Sequence, residues 1–168
     1  MCSTFFSTLQ SEDSLEAGIQ INKDFHLPKA SNTTILIANG TGIAPFLGMI
    51  MDNNNTSTKH LFWGGRTKKS LALYEKYLHK ARQSNSNLSF NAVYSREETQ
   101  HQKYVQHSLS AQKNTVLETL KSGGTIMICG SIAMQTEVIA LLEELCNTQL
   151  KIPLSTFQQK NQIKLDCY

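Results

Sequence analysis

Five short apolar, β-prone runs punctuate the chain: Thr34 to Ala38, His60 to Gly64, Leu88 to Tyr94, Thr125 to Cys129 and Ile163 to Cys167. Between them lie helical patterns near Ala44 to Asp52, Ser70 to Arg82, Tyr104 to Leu109 with Asn114 to Leu120, and Ala133 to Cys146. Short apolar strands separated by amphipathic helices imply parallel pairing through right-handed crossovers. The pattern predicts an α/β fold built on a doubly wound, parallel, five-stranded sheet. In such sheets a ligand binds where the strand order reverses, beyond the carboxyl ends of the strands. Gly40 to Gly42, Ser95-Arg96, Gly130-Ser131 and the chain terminus all fall at predicted strand ends. The polar runs Asp52 to Lys59 and Gln83 to Asn87 read as surface loops.

The stretch Asn39-Gly40-Thr41-Gly42-Ile43-Ala44-Pro45-Phe46 follows the first apolar run and opens a segment with apolar residues at Phe46, Leu47, Ile50 and Met51. That order is strand, glycine turn, helix. Two glycines let the backbone turn tightly and approach a ligand, and the free N–H groups of a helix start offer partial positive charge to a phosphate. Pro45 suits a first helical turn, where its missing N–H has no partner to lose. Thr41 has two readings at this point, a ligand contact or a plain helix N-cap.

Composition limits the remaining choices. A chain of 168 residues with 40% hydrophobic content can bury one good core. The formal net charge of +3 comes without a dense Lys/Arg run or an interleaved aromatic stripe, which argues against nucleic acid as a partner. No apolar run approaches the roughly 20 residues of a membrane-spanning helix. The cysteines Cys2, Cys129, Cys146 and Cys167 have neither metal-type spacing nor a disulfide pattern, so no metal site is expected and a reducing cytoplasm is the setting they suit.

Further segments follow the glycine turn in order: Leu61-Phe62-Trp63-Gly64-Gly65-Arg66, Tyr94-Ser95-Arg96-Glu97, Tyr104-Val105-Gln106-His107, Met127-Ile128-Cys129-Gly130-Ser131 with Met134, and Asp166-Cys167-Tyr168. Together they resemble the nicotinamide-nucleotide-binding half of the ferredoxin-NADP reductase family, in its diflavin branch with the sulfite reductase flavoprotein. The resemblance implies a Rossmann-like NADP-binding domain over residues 31–168. It implies that Gly40, Thr41 and Gly42 contact the pyrophosphate or nicotinamide side of the dinucleotide, with Arg66 adding positive charge near the pyrophosphate. Ser95 and Arg96 match the pair that holds the 2′-phosphate of NADPH. Tyr104 matches the residue that stacks on adenine, and Gln106 a polar contact to the phosphate.

The same resemblance places the reaction site at Cys129, Asp166 and Tyr168. The cysteine would pack beside the nicotinamide and orient it towards the flavin, although a cysteine ending a buried strand is otherwise a small core residue. Asp166 would stabilise the cationic nicotinamide, and Tyr168 would stack on the flavin and move aside to admit the nicotinamide. Three departures stand out. The family pattern Lys-x-Tyr-Val-Gln becomes Gln102-Lys103-Tyr104-Val105-Gln106, so Lys103 is displaced by one place and, on a strand or helix, to another face. Ser131 stands where an acidic residue is common, and Asn161-Gln162-Ile163 replaces the frequent Gly-Arg-Tyr.

Residues 1–30, with Met1-Cys2-Ser3-Thr4, Ile19-Gln20-Ile21 and Phe25-His26-Leu27-Pro28, resemble the last part of the family's flavin domain, in which Cys2 and Ser3 would lie at the turn that holds the FAD pyrophosphate. The upstream Arg-x-Tyr-Ser motif is missing, so the chain is expected to be the C-terminal part of a longer protein. The other reading is an N-terminal helix and hairpin that complete the core. The implied parent passes hydride from NADPH to FAD and then electrons to an acceptor protein or an FMN domain. A membrane-attached reductase, with its attachment in missing regions, is an alternative, as is a non-catalytic NAD(P) sensor or interaction module.

Overall fold

Parallel pairing throughout gives a single five-stranded sheet in the order β3-β2-β1-β4-β5. In this computed structural model, residues 5, 7–16, 18, 22–28, 31–52, 56–97 and 101–168 are described. The strands are β1 (Thr33–Asn39), β2 (Thr58–Gly65), β3 (Leu88–Tyr94), β4 (Thr125–Gly130) and β5 (Ile163–Cys167). The helices are α1 (Ala44–Met51), α2 (Ala72–Ser84), α3 (Val105–Ala111), α4 (Lys113–Lys121), α5 (Ile132–Leu145) and α6 (Leu154–Gln159). All five expected strands and the expected fold class are present. From β1 the chain winds outwards through β2 to β3, then returns to the other side of β1 as β4. The reversal therefore falls between β1 and β4.

The strands read as continuous apolar runs because both faces are covered. One face sets Ile35, Ile37, Phe62, Val93, Ile126 and Ile128 against residues of α3, α4, α5 and α6, among them Leu109, Leu120, Val138, Leu142 and Phe157. The other sets Leu36, Ala38, Leu61, Trp63, Met127 and Cys129 against Phe46 and Ile50 of α1 and Leu78 and Ala81 of α2. Each fully buried large side chain contributes about 1.5–3 kcal/mol of transfer free energy, so the central strands anchor the strand ends that carry the site. Phe25 joins the second face, 5.8 Å from the Phe46 ring. Lys164 Nζ donates to the Asp24 carbonyl at 2.8 Å. The segment Ile19-Gln20-Ile21 lies outside the described residues, as do Cys2 and Ser3.

Several local expectations change. Thr41 is no N-cap: Gly40–Ile43 form a 3-10 turn whose cap position is Asn39, and α1 begins after it. The expected helix start at Tyr104 shifts to Val105, with Tyr104 extended at the cap (φ −131°, ψ 157°). Helix α6 has no counterpart in the sequence reading, since six residues burying Leu154 and Phe157 are too short for a periodic signal. Gln162, one of the departures, is buried and donates from Nε2 to the carbonyls of Leu120 (2.9 Å) and Gly124 (2.8 Å), tying β5 to the end of α4 and the entry to β4. No helix among the described residues is long and apolar enough to cross a membrane.

Candidate functional site

All five strands contribute their carboxyl ends to one cleft of about 400 Å³. Asn39, Gly40 and Thr41 enter from β1, Gly64, Gly65 and Arg66 from β2, and Ser95, Ser131 and Tyr168 from the ends of β3, β4 and β5. The glycines shape this cleft by close approach. A Cβ on Gly42 would lie 2.3 Å from the Cys129 carbonyl oxygen, so only glycine lets the β1 turn rest on the end of β4. A Cβ on Gly65 would lie 2.4 Å from the Trp63 ring, which is buried below the cleft. Trp63 Nε1 donates to the Gly40 carbonyl at 2.9 Å, fixing the turn from beneath. Gly40 itself sits at φ +52°, a conformation that glycine adopts without strain.

The β2–β3 ladder continues past the strands. Ser95 N–H donates to the Gly65 carbonyl (3.0 Å) and Arg96 N–H to the Arg66 carbonyl (2.9 Å). This pairing makes Arg66 and Arg96 cross-strand neighbours, with Ser95 facing the cleft beside them. Glu97 Oε1 accepts from the Lys68 N–H at 3.0 Å. Arg66 and the Ser95 hydroxyl line the cleft here, with Arg96 exposed beside them, a set that suits a phosphate because arginine offers a planar fork of donors.

Towards β5 the contacts differ. Tyr168 N–H donates to the Gly130 carbonyl (2.9 Å), and the Tyr168 carbonyl accepts from the Ile132 N–H (3.3 Å). Its hydroxyl lies 2.7 Å from Thr41 Oγ1 and bridges the cleft between the ends of β5 and β1. Cys129 and Asp166 are register partners on β4 and β5. Cys129 is 3% exposed, and its thiol is pushed up to about 11, chiefly by burial, with Asp166 and Cys167 adding to the rise. It is therefore a protonated, space-filling group at neutral pH rather than a thiolate nucleophile. Asp166 is exposed and opens on a second hollow of about 570 Å³, lined also by Phe25, His26, Pro45 and Met49.

Of the residues singled out in the sequence, Gly40, Thr41, Arg66, Ser95 and Tyr168 line the cleft, and Gly42 is buried against the end of β4. Arg96 stands at the rim. Tyr104 is half exposed, stacked edge-on against His107 with 5.6 Å between ring centroids. Lys103 lies in irregular chain before α3, so its one-place displacement cannot be read as a turn to another helix or strand face, and its side chain is exposed. Gln106, in the first turn of α3, is half-buried. Sequence reading missed Asn39, Gly64 and Gly65 as cleft residues and saw Ser131 only as a departure. An asparagine between an apolar strand and a glycine turn was the available signal.

The cleft suits a dinucleotide: it is lined by Gly40, Gly64 and Gly65, with Arg66 and Ser95 from the β2 and β3 ends and the hydroxyls of Thr41 and Tyr168 from the β1 and β5 ends. The sequence model of the oxidoreductase NAD-binding domain matches residues 36–139. The chain is 31% identical over 146 residues to the sulfite reductase [NADPH] flavoprotein alpha-component of Buchnera aphidicola, covering 81% of this chain and 24% of that protein. It is 34% identical over 122 residues to NADPH oxidoreductase A of Dictyostelium discoideum, covering 70% and 19%. Against the NADPH–cytochrome P450 reductase of Aspergillus oryzae it is 32% identical over 142 residues, covering 79% and 20%. The chain thus spans a quarter or less of the length of these curated relatives. With the cleft at the strand reversal and a family match over most of the sheet, the chain belongs to the oxidoreductase NAD-binding domain family, of the type found in ferredoxin-NADP reductase-like flavoproteins.

Proposed function

We propose that this chain is the NADP(H)-binding half of a flavin-dependent NADPH oxidoreductase. The observation that carries the choice of nucleotide is the Arg66–Arg96 backbone pair with Ser95 beside it, a cationic, hydroxyl-bearing rim matched to a 2′-phosphate. In this reading the glycine turn and Arg66 receive the pyrophosphate, and Tyr104 and Gln106 lie on the adenine side, with Lys103 contributing charge at that rim. The bound cofactors supply the chemistry, a hydride transfer from nicotinamide to FAD. The chain's own residues bind and orient: buried Cys129 gives the nicotinamide a dry, neutral wall, Asp166, its register partner on β5, supplies negative charge from the side of the second hollow, and Tyr168 controls entry at the β5 end.

FAD belongs mainly to a further domain of the parent, and residues 1–30 with Cys2 and Ser3 are assigned as the last part of it. Electrons leave the flavin for an acceptor protein or an FMN domain of the same parent. A reducing, cytoplasmic setting completes the reading and is supported by the free thiols of Cys129, Cys146 and Cys167.

Calorimetric titration of the chain with NADP+, NAD+ and 2′-phospho-AMP tests this, repeated with Arg96→Ala. The expected result is selective binding of the two 2′-phosphorylated ligands, weakened in the variant by about 1.5–3 kcal/mol, the worth of a charged hydrogen bond. Equal affinity for NAD+ and NADP+, unaltered by Arg96→Ala, would remove the 2′-phosphate assignment.

A further inference from the structure

We infer that Asn39 is a positioning residue for the nicotinamide half of the site, acting through Ser131 to hold the β1 and β4 ends of the cleft in register. The inference rests on the nucleotide-binding reading above. Asparagine is among the strongest N-cap residues, and Asn39 occupies the cap position of the Gly40–Ile43 turn, yet its side chain makes no cap bond to that turn. Both ends of its amide go instead to one residue 92 positions away. Asn39 Oδ1 accepts from the Ser131 N–H at 2.9 Å, and Asn39 Nδ2 donates to Ser131 Oγ at 2.9 Å. Ser131 Oγ in turn accepts from the Met134 N–H at 3.3 Å and caps α5.

The surrounding backbone has been shaped for this bridge. Gly130 sits at φ +144°, and a Cβ there would lie 2.1 Å from Asn39 Oδ1. Gly42 presses on the Cys129 carbonyl from the other side. Ala38 and Cys129 are register partners immediately before the bridge, and Tyr168 hangs from the Gly130 carbonyl just beyond it. Thr41, Cys129 and Tyr168 therefore flank a two-point contact from the Asn39 amide to the backbone N–H and the hydroxyl of Ser131, which joins the β1 end to the β4 end. Ser131 in place of an acidic residue fits the same contact: its backbone N–H donates to Asn39 Oδ1, and its hydroxyl accepts from Nδ2 without bringing a charge to the strand end. The Ser95–Arg96 rim lies two strands away in the sheet order, held by β2–β3 pairing to which Asn39 contributes nothing.

This separation gives a test with an internal control, because 2′-phospho-AMP reaches only the β2–β3 rim while NADP+ spans the whole cleft. For Asn39→Ala, NADP+ affinity is expected to fall by about tenfold or more, with 2′-phospho-AMP affinity held within about twofold. Ser131→Ala should shift the ratio the same way, Ser131→Thr should restore it, and the double variant should bind NADP+ no more than about twofold below Asn39→Ala, since Asn39→Ala already removes the Nδ2 bond that Ser131→Ala deletes. Parallel loss of both ligands would make Asn39 a general stability residue, and an unchanged NADP+ to 2′-phospho-AMP ratio would remove the positioning role; either overturns the inference while leaving the nucleotide reading intact. A wild-type chain that binds neither ligand overturns both.

Discussion

Replacing Gly42 with alanine asks whether the β1 turn is held by contact with β4, as the geometry requires. The new Cβ would lie 2.3 Å from the Cys129 oxygen, 2.7 Å from its carbonyl carbon and 2.8 Å from Gly130 Cα. All three are backbone atoms of a buried strand end, so no side-chain rotation relieves the overlap. Overpacking of this kind costs about 1–3 kcal/mol when side chains can adjust, and a rigid backbone places Gly42→Ala at about 3 kcal/mol. At about 2–4 °C per kcal/mol for a domain of this size, the melting temperature should fall by about 6–12 °C. Gly48→Ala is the matched control. Gly48 lies within α1, exposed, with nothing within 4 Å of its added Cβ. There alanine should stabilise by about 0.5–1 kcal/mol, or about 1–4 °C, because glycine is a poor helix residue. Thermal unfolding followed by circular dichroism reads both. A Gly42→Ala protein melting within about 2 °C of wild type would refute the close-packed turn, and a destabilising Gly48→Ala would refute the distinction between the two glycines.

Other consequences can be measured separately. Gln162→Ala leaves the buried carbonyls of Leu120 and Gly124 without their donor and should destabilise by about 2–4 kcal/mol; NADP+ affinity should not change, because Gln162 sits just before β5, at the end of the strand opposite the cleft. Cys129 is raised from 9.0 to about 11 by burial, so its protonated form is favoured in the folded state; its stabilising contribution is complete below pH 9 and lost as pH rises from about 9 to 11. Denaturant titrations across that window should show a decline that Cys129→Ala makes shallower. Tyr168→Phe removes the 2.7 Å bond to Thr41 Oγ1 and should tighten NADP+ binding by about twofold to tenfold if the ring must move for the nicotinamide; weaker binding in calorimetry would make the tyrosine a ligand contact instead of a gate.

The chain's linear order carried the fold to an unusual extent, because continuous apolar runs alternating with amphipathic segments have few other solutions than a parallel sheet covered on both faces. Thr34 to Ala38 and Thr125 to Cys129 could be recognised as core strands without knowing that they are neighbours. Local chemistry likewise exposed the Gly40–Gly42 turn with Thr41, and the family resemblance singled out Arg66, Ser95 and Tyr168, each following a β-prone run. The sequence did not carry the relations among them. Thr41 reads as a cap until Tyr168, 127 positions on, is seen to share its hydroxyl. The displaced Lys103 suggests a change of face only if the chain there is regular, and it is not. Gln162 and Ser131 look like losses from a pattern until the groups they bind are visible. Periodicity and turn chemistry act over a few residues, and they determined which elements form and roughly where. Which side chains face one another across β1 and β4 depends on strand order and register, which long-range packing sets, and so only the tertiary structure could give Asn39 and Ser131 their common task.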